Sequence, residues 1–184
     1  MTACGVGCLA KLHKDFELIL FTYICRVRAS SLQEVKQELQ ELSAKELLEL
    51  CLHLAKYKKD NKEYLGYLLF QSHDRDGFVV QIKAEIDGHF NELKGQANLY
   101  YTKKTLRKIL RIINKYCRYM GDKSASAEAH LYFCLKIKQA GIPIHKSARI
   151  QNLFIAEVKK IRSLISHLHE DLQSDYLKDL EKIE

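Results

Sequence analysis

Seven cations stand close together in the second half of this chain: Lys103, Lys104, Arg107, Lys108, Arg111, Lys115 and Arg118, with no acidic residue among them. At about 100° per residue of an α-helix they fall within an arc of about 140°. Leu106, Ile109, Leu110, Ile112, Ile113, Tyr116, Cys117 and Met120 fill the opposite side. The chain carries 30 Lys and Arg against 23 Asp and Glu, a formal charge of +7, so these seven residues hold its whole excess. Outward polar residues are usual on an amphipathic helix, but a neutral face would alternate Glu with Lys. Like charges four apart, such as Lys104 with Lys108 and Arg107 with Arg111, oppose the helix by about 0.3 kcal/mol each. The chemistry such a face offers is electrostatic, the sequence-independent attraction of nucleic-acid phosphates or another polyanion. A merely solvated surface, and pairing with acids elsewhere in the chain or in a second copy, are the other uses of the same residues. Tyr100, Tyr101 and Tyr119 are near enough to stack on bases, although Tyr101 and Tyr119 also suit the edge of a core with their hydroxyls in water. Lys146, Arg149, Lys159, Lys160 and Arg162 enlarge the basic surface if their helix lies beside this one.

Other constellations are incomplete. Residues Ser72 to Lys83 imitate a calcium loop at Asp74, Asp76, Gly77 and Val79, but Lys83 stands where a bidentate Glu is required. An Asp-Gly turn capping a helix explains the same residues. His169-Glu170 opens a zincin pattern that fails at Gln173, and His167 with Asp171 supplies two metal ligands without a third. The chain has no Glu-x-x-His, no phosphate loop and no G-x-S-x-G. The expectation is no catalytic residue, no cofactor and no metal, and a protein that leans away from catalysis, with an enzyme lacking a recognisable motif as a further alternative.

The elements that must position the basic face are helices. Ser31-x-x-Glu34 and Ser43-x-x-Glu46 match the capping box, in which hydroxyl and carboxylate satisfy free backbone N–H groups reciprocally. The first helix has Leu32, Val35, Leu39 and Leu42 at helical spacing, and the second, from Ala44 to about Lys59, turns Leu47, Leu48, Cys51, Leu54 and Ala55 inward. Asp60-x-x-Glu63 is expected to open a third, and Phe78, Val79, Ile82, Ile86, Phe90 and Leu93 define a fourth. The basic helix runs from about Leu99 to Gly121, a residue suited to end it. After a polar turn at Asp122 to Ser126, a sixth helix carries Ala127, Leu131, Cys134, Leu135 and Ile137 and stops at Gly141 and Pro143. A last long helix starts near Ser147, where Phe154, Val158, Ile161, Ile165, Leu168 and Leu172 alternate four and three apart as a lengthwise packing seam. Ser174 is a candidate interruption before Tyr176, Leu180 and Ile183.

Seven to eight helices joined by short turns predict an all-α fold of antiparallel helical hairpins in a right-handed stack, with an irregular bundle as the alternative. No consensus repeats at a period of about 34 or 40 residues, which argues against the tetratricopeptide class. Residues Ser43 to Phe70, SAKELLELCLHLAKYKKDNKEYLGYLLF, resemble the opening of a group of uncharacterised all-helical bacterial proteins. The resemblance covers about a sixth of the chain. It implies a HEAT-like or armadillo-like helical solenoid and carries no functional residues over.

At 184 residues, 47% hydrophobic and 29% charged, the chain is long and apolar enough for one core. A single Pro and eight Gly leave few turn residues for a many-stranded sheet. Of six cysteines, Cys51, Cys117 and Cys134 sit in helical apolar patterns as small hydrophobes, while Cys4 and Cys8 lack further ligands nearby. A reducing, cytoplasmic setting is expected. Residues 1–29, with Cys25 at the end of their apolar stretch Leu18 to Cys25, read as an N-terminal extension to a domain over 30–184. That stretch falls far short of the roughly 20 residues of a membrane span, and Asp15, Glu17, Arg26 and Arg28 flank it unlike a signal peptide. The functional expectation is a helical scaffold that binds an anionic macromolecule, nucleic acid foremost, through the basic face. Its rival is a protein-interaction or self-assembly module using the Phe154 to Leu172 seam.

Overall fold

Hydroxyl–carboxylate pairs start the first two helices as their spacing predicts. Glu34 N–H donates to Ser31 Oγ at 3.2 Å and Ser31 N–H to Glu34 Oε2 at 2.7 Å. Ser43 and Glu46 repeat the exchange at 2.8 and 3.4 Å. The computed structural model describes residues 29–95 and 98–183. Within them it contains eight α-helices and no strand. The helices are α1 Leu32–Glu41, α2 Ala44–Tyr57, α3 Lys59–Phe70, α4 Arg75–Glu92, α5 Leu99–Met120, α6 Lys123–Gln139, α7 Ala148–Ile165 and α8 Glu170–Glu181. The chain divides into two compact units, residues 1–53 and 54–184, the division falling inside α2. The first unit's described part is α1 and the start of α2, in which no residue is buried and Leu32, Val35, Leu48, Leu50 and Leu52 are exposed. The expected extension over residues 1–29, including its apolar stretch, lies outside the described residues except for Ala29.

In the second unit α6 is the innermost helix. Nine of its residues are buried, among them Phe133, Cys134 and Ile137, and it packs against α4, α5, α7 and α8. Small side chains at Ala125, Ala127 and Ala129 let its neighbours approach closely. Ile82 and Ile86 of α4, Leu106, Ile109 and Ile113 of α5, and Ile150, Ile161 and Ile165 of α7 complete one core. Gly121 and Gly141 end α5 and α6 with φ of 64° and 62°, a left-handed conformation that costs glycine no Cβ clash.

Three local expectations are corrected. Asp60 does not cap α3: the helix begins at Lys59, its N-cap Lys58 makes no side-chain bond, and Glu63 is drawn instead to Lys115 on α5. Residues Asp122 to Ser126 are not a turn. Only Asp122 lies outside α6, its carboxylate accepting the Ser124 N–H at 2.7 Å while Ser126 Oγ donates back to Asp122 O at 2.6 Å. The seam from Phe154 to Leu172 is cut after Ile165, where Ser166 Oγ and His167 Nδ1 meet Ser163 O at 3.0 and 2.6 Å. Gln173 Nε2 donates to Leu168 O at 2.8 Å, so side chains satisfy carbonyls that a continuous helix would have used. Leu172 is consequently exposed.

Candidate functional site

The apolar half of α5 is spent on the core, and that fixes where its cations point. Thr102, Leu106, Ile109, Leu110 and Ile113 are buried, so the arc centred opposite them faces outward. Lys104, Arg107, Lys108, Arg111 and Arg118 are exposed, and Lys103 and Lys115 are half-buried. Neighbouring helices bracket this face. On one side Lys115 Nζ donates to Glu63 Oε2 of α3 at 2.7 Å. On the other, Lys160 Nζ of α7 donates to Asn114 Oδ1. Lys160 therefore joins the basic surface, and Arg149, eleven residues and three turns earlier, lies on the same side of α7.

Lys115 is the one member of the seven that an acid claims among the described residues. Its hydrogen bond holds the Glu63 carboxyl below the usual carboxylate range. Burial alone would push the Lys115 ammonium down, but the Glu63 hydrogen bond and the nearby charges outweigh it and hold it up. Lys103, Lys104, Arg107, Lys108, Arg111 and Arg118 make no ion pair with a carboxylate among the described residues. Pairing among the described residues thus accounts for one cation of the seven.

The face is also shaped. Tyr100, Lys103, Lys104, Arg107, Leu110 and Arg111 line an open groove of about 470 Å³ at the N-terminal half of α5. Asn98 caps the helix there by accepting the Tyr100 N–H at 2.9 Å. Tyr100 lies on the cationic arc itself, 66% exposed, with Lys103 Nζ 5.0 Å from its ring centroid. Tyr101 is exposed as well, about 100° round the helix. Tyr119 is not free: its hydroxyl donates to Asp60 O at 3.2 Å and its ring stands 5.1 Å from Tyr64 and 6.0 Å from Tyr116. Tyr67 and Phe78, 4.7 Å apart, continue that aromatic cluster between α3 and α4.

The remaining sequence candidates resolve into local structure. Asp74 caps α4 through the Gly77 N–H at 2.9 Å, the helix-capping use of the calcium-like segment. His169 is the N-cap residue of α8 and faces Asp171 at 3.3 Å. Among the described residues no three His, Cys, Asp or Glu side chains gather as metal ligands. No described helix is long and apolar enough to cross a membrane.

One polar cluster has no sequence signal. His130 on α6 is fully buried, and its Nδ1 lies 2.7 Å from Oε2 of Glu157 on α7, itself 8% exposed. The two groups are close without meeting hydrogen-bond geometry, and neither His130 nitrogen has another hydrogen-bond partner among the described residues. Cys134, one turn after His130, has its thiol pushed up to about 12 by burial and by the Glu157 charge. A thiol raised in this way favours its protonated form, the weaker nucleophile. Compared with protein-family models, curated proteins and solved structures, the chain matches none of them.

Proposed function

We propose that this protein is a non-enzymatic helical scaffold that binds nucleic acid through the outward face of α5. The observation that carries the reading is that six of seven clustered cations have no acidic partner among the described residues, five of them exposed, and that part of their face is shaped as a groove. Repulsion among them persists in the fold, and phosphates would relieve it. The packing of α6 against α4, α5, α7 and α8 supports a helical scaffold, and a HEAT-like stack of antiparallel hairpins is the arrangement proposed for it. The free thiols of Cys51, Cys117 and Cys134 support a reducing compartment such as the cytoplasm.

Binding should be salt-sensitive. Each phosphate neutralised on a single strand contributes about 0.7 to the slope of log affinity against log salt, so six contacts give a slope approaching −4. Fluorescence anisotropy with labelled oligonucleotides across a salt series measures it. Changing Lys104, Arg107, Lys108 and Arg111 together to Glu should abolish binding, and equal binding by that variant would refute the reading.

A second reading rests on a different surface. Leu68, Leu69 and Phe70 at the end of α3 are exposed, as is Val80 on α4, which favours a protein contact or self-assembly there rather than along the seam of α7. A stable monomer in light scattering would remove self-assembly.

A further inference from the structure

We infer that the α5 face takes an unpaired strand rather than a duplex, with Tyr100 as the platform on which a base stacks. The inference rests on the polyanion reading and narrows its ligand class. Direct duplex reading places an α-helix in the major groove, which is about 12 Å wide. That requires a helix standing proud of its neighbours. Here Lys160 of α7 reaches α5 at Asn114 and Glu63 of α3 reaches it at Lys115, so the C-terminal half of α5 is flanked on both sides. The face between these flanks is a shallow charged track, suited to a backbone that lies along it.

Tyr100 supplies the second requirement. It falls at the same angle on α5 as Arg118 and between Arg107 and Arg111, so these three cations and the ring share one stripe about 27 Å long. Lys103 sits over the ring and restrains it, which leaves less ordering to be done when a base arrives. The other tyrosines of α5 stand differently: Tyr119 and Tyr116 belong to the aromatic cluster with α3 and α4, and Tyr101 lies at the edge of the arc, about 20° beyond Lys108. In a duplex the base faces are already stacked and the ring has nothing to meet. On a single strand each base presents a free π-face beside the phosphates that Lys104, Arg107 and Arg111 attract.

The test uses the full chain and three probes at one salt concentration: a twelve-nucleotide oligothymidine, a duplex of the same length, and inorganic polyphosphate. The single strand should bind more tightly than the duplex. Tyr100→Ala should weaken the single strand about tenfold, roughly 1.4 kcal/mol, while leaving polyphosphate affinity and the salt slope unchanged. Tyr100→Phe should restore the loss, because stacking needs the ring and not the hydroxyl. Circular dichroism of both variants checks that α5 remains formed. Tighter duplex binding, or a Tyr100→Ala variant that binds the single strand as well as the parent, overturns the inference while the polyanion reading stands. Failure of all three probes to bind overturns both.

Discussion

His130 and Glu157 place a ring and a carboxylate in the interior of the second unit without giving them a well-aligned bond. Buried polar pairs are often no better than apolar residues of similar volume, yet removing one partner strands the other and costs about 3 kcal/mol. His130→Leu alone should therefore lower stability by about 3 kcal/mol, because it leaves a carboxylate facing apolar neighbours. His130→Leu with Glu157→Met should recover most of that loss. Chemical denaturation of the two singles and the double gives the coupling, and additive losses would show that the two groups do not interact. Cysteine chemistry follows burial in the same way. Cys51 is exposed, Cys134 is buried with its thiol near 12, and burial pushes Cys117 up as well. Brief alkylation of the native protein, read by peptide mass mapping, should modify Cys51 and spare Cys117 and Cys134 until denaturant is added. Modification of Cys134 at the rate of Cys51 would contradict its place in the core.

At the scale of the element, α5 sets its own stability against the binding proposed for it. Lys108 faces Lys104 one turn before it and Arg111 nearly one turn after it, and none of the three has an acidic partner among the described residues. Lys108→Glu converts two repulsive neighbours into attractive ones, worth about 0.2–0.5 kcal/mol per pair. The variant should melt slightly higher than the parent while binding an oligonucleotide more weakly. A variant that melts lower would mean that Lys108 has a stabilising contact in the fold. Much of this element was legible in advance, since charge sign and apolar period both follow from local sequence. The N-terminal caps of α1 and α2 and the stop of α5 at Gly121 were legible for the same reason. What local pattern could not supply was competition from far along the chain. Glu63 has the spacing of a capping partner for Asp60, but a lysine 52 residues away attracts it more strongly. The seam through Leu172 has the right period, yet Ser163, Ser166 and His167 offer the backbone a way to stop. Tyr100 lay within reach of sequence, because extending the helical wheel three residues before Lys103 puts its ring on the cationic arc. The His130–Glu157 pair did not, since neither residue carries a local mark of its partner.

Across the second unit, three depressed carboxyls tie helices that are distant in sequence. Glu63 links α3 to α5 through Lys115. Asp87 on α4 meets Lys136 at 2.7 Å and the Tyr132 hydroxyl at 2.7 Å on α6, and Asp122 at the start of α6 meets Arg75 of α4. For Asp87 and Asp122 burial pushes the carboxyl up, but the Lys136 and Tyr132 bonds in one case, and Arg75 with the Ser124 N–H in the other, bring it below its ordinary value. A carboxyl whose folded pKa lies below its unfolded one contributes stability that is fully present above the unfolded value and is lost as pH falls through the folded one. The unfolded references are 4.5 for Glu63 and 3.8 for the two Asp residues. The contribution of these links should thus hold steady from neutral pH down to about 5 and fall progressively below it. Their cationic partners Lys115, Lys136 and Arg75 are all shifted upward, so the same links weaken again only at strongly alkaline pH. Glu63→Gln isolates one link. It keeps the shape of the side chain and removes its titration, so the variant should start about 1 kcal/mol less stable at pH 7 and lose stability less steeply with acid than the parent. Thermal melts at half-unit steps from pH 7 to 3 resolve the two slopes, and parallel curves for parent and variant would remove Glu63 from the acid response.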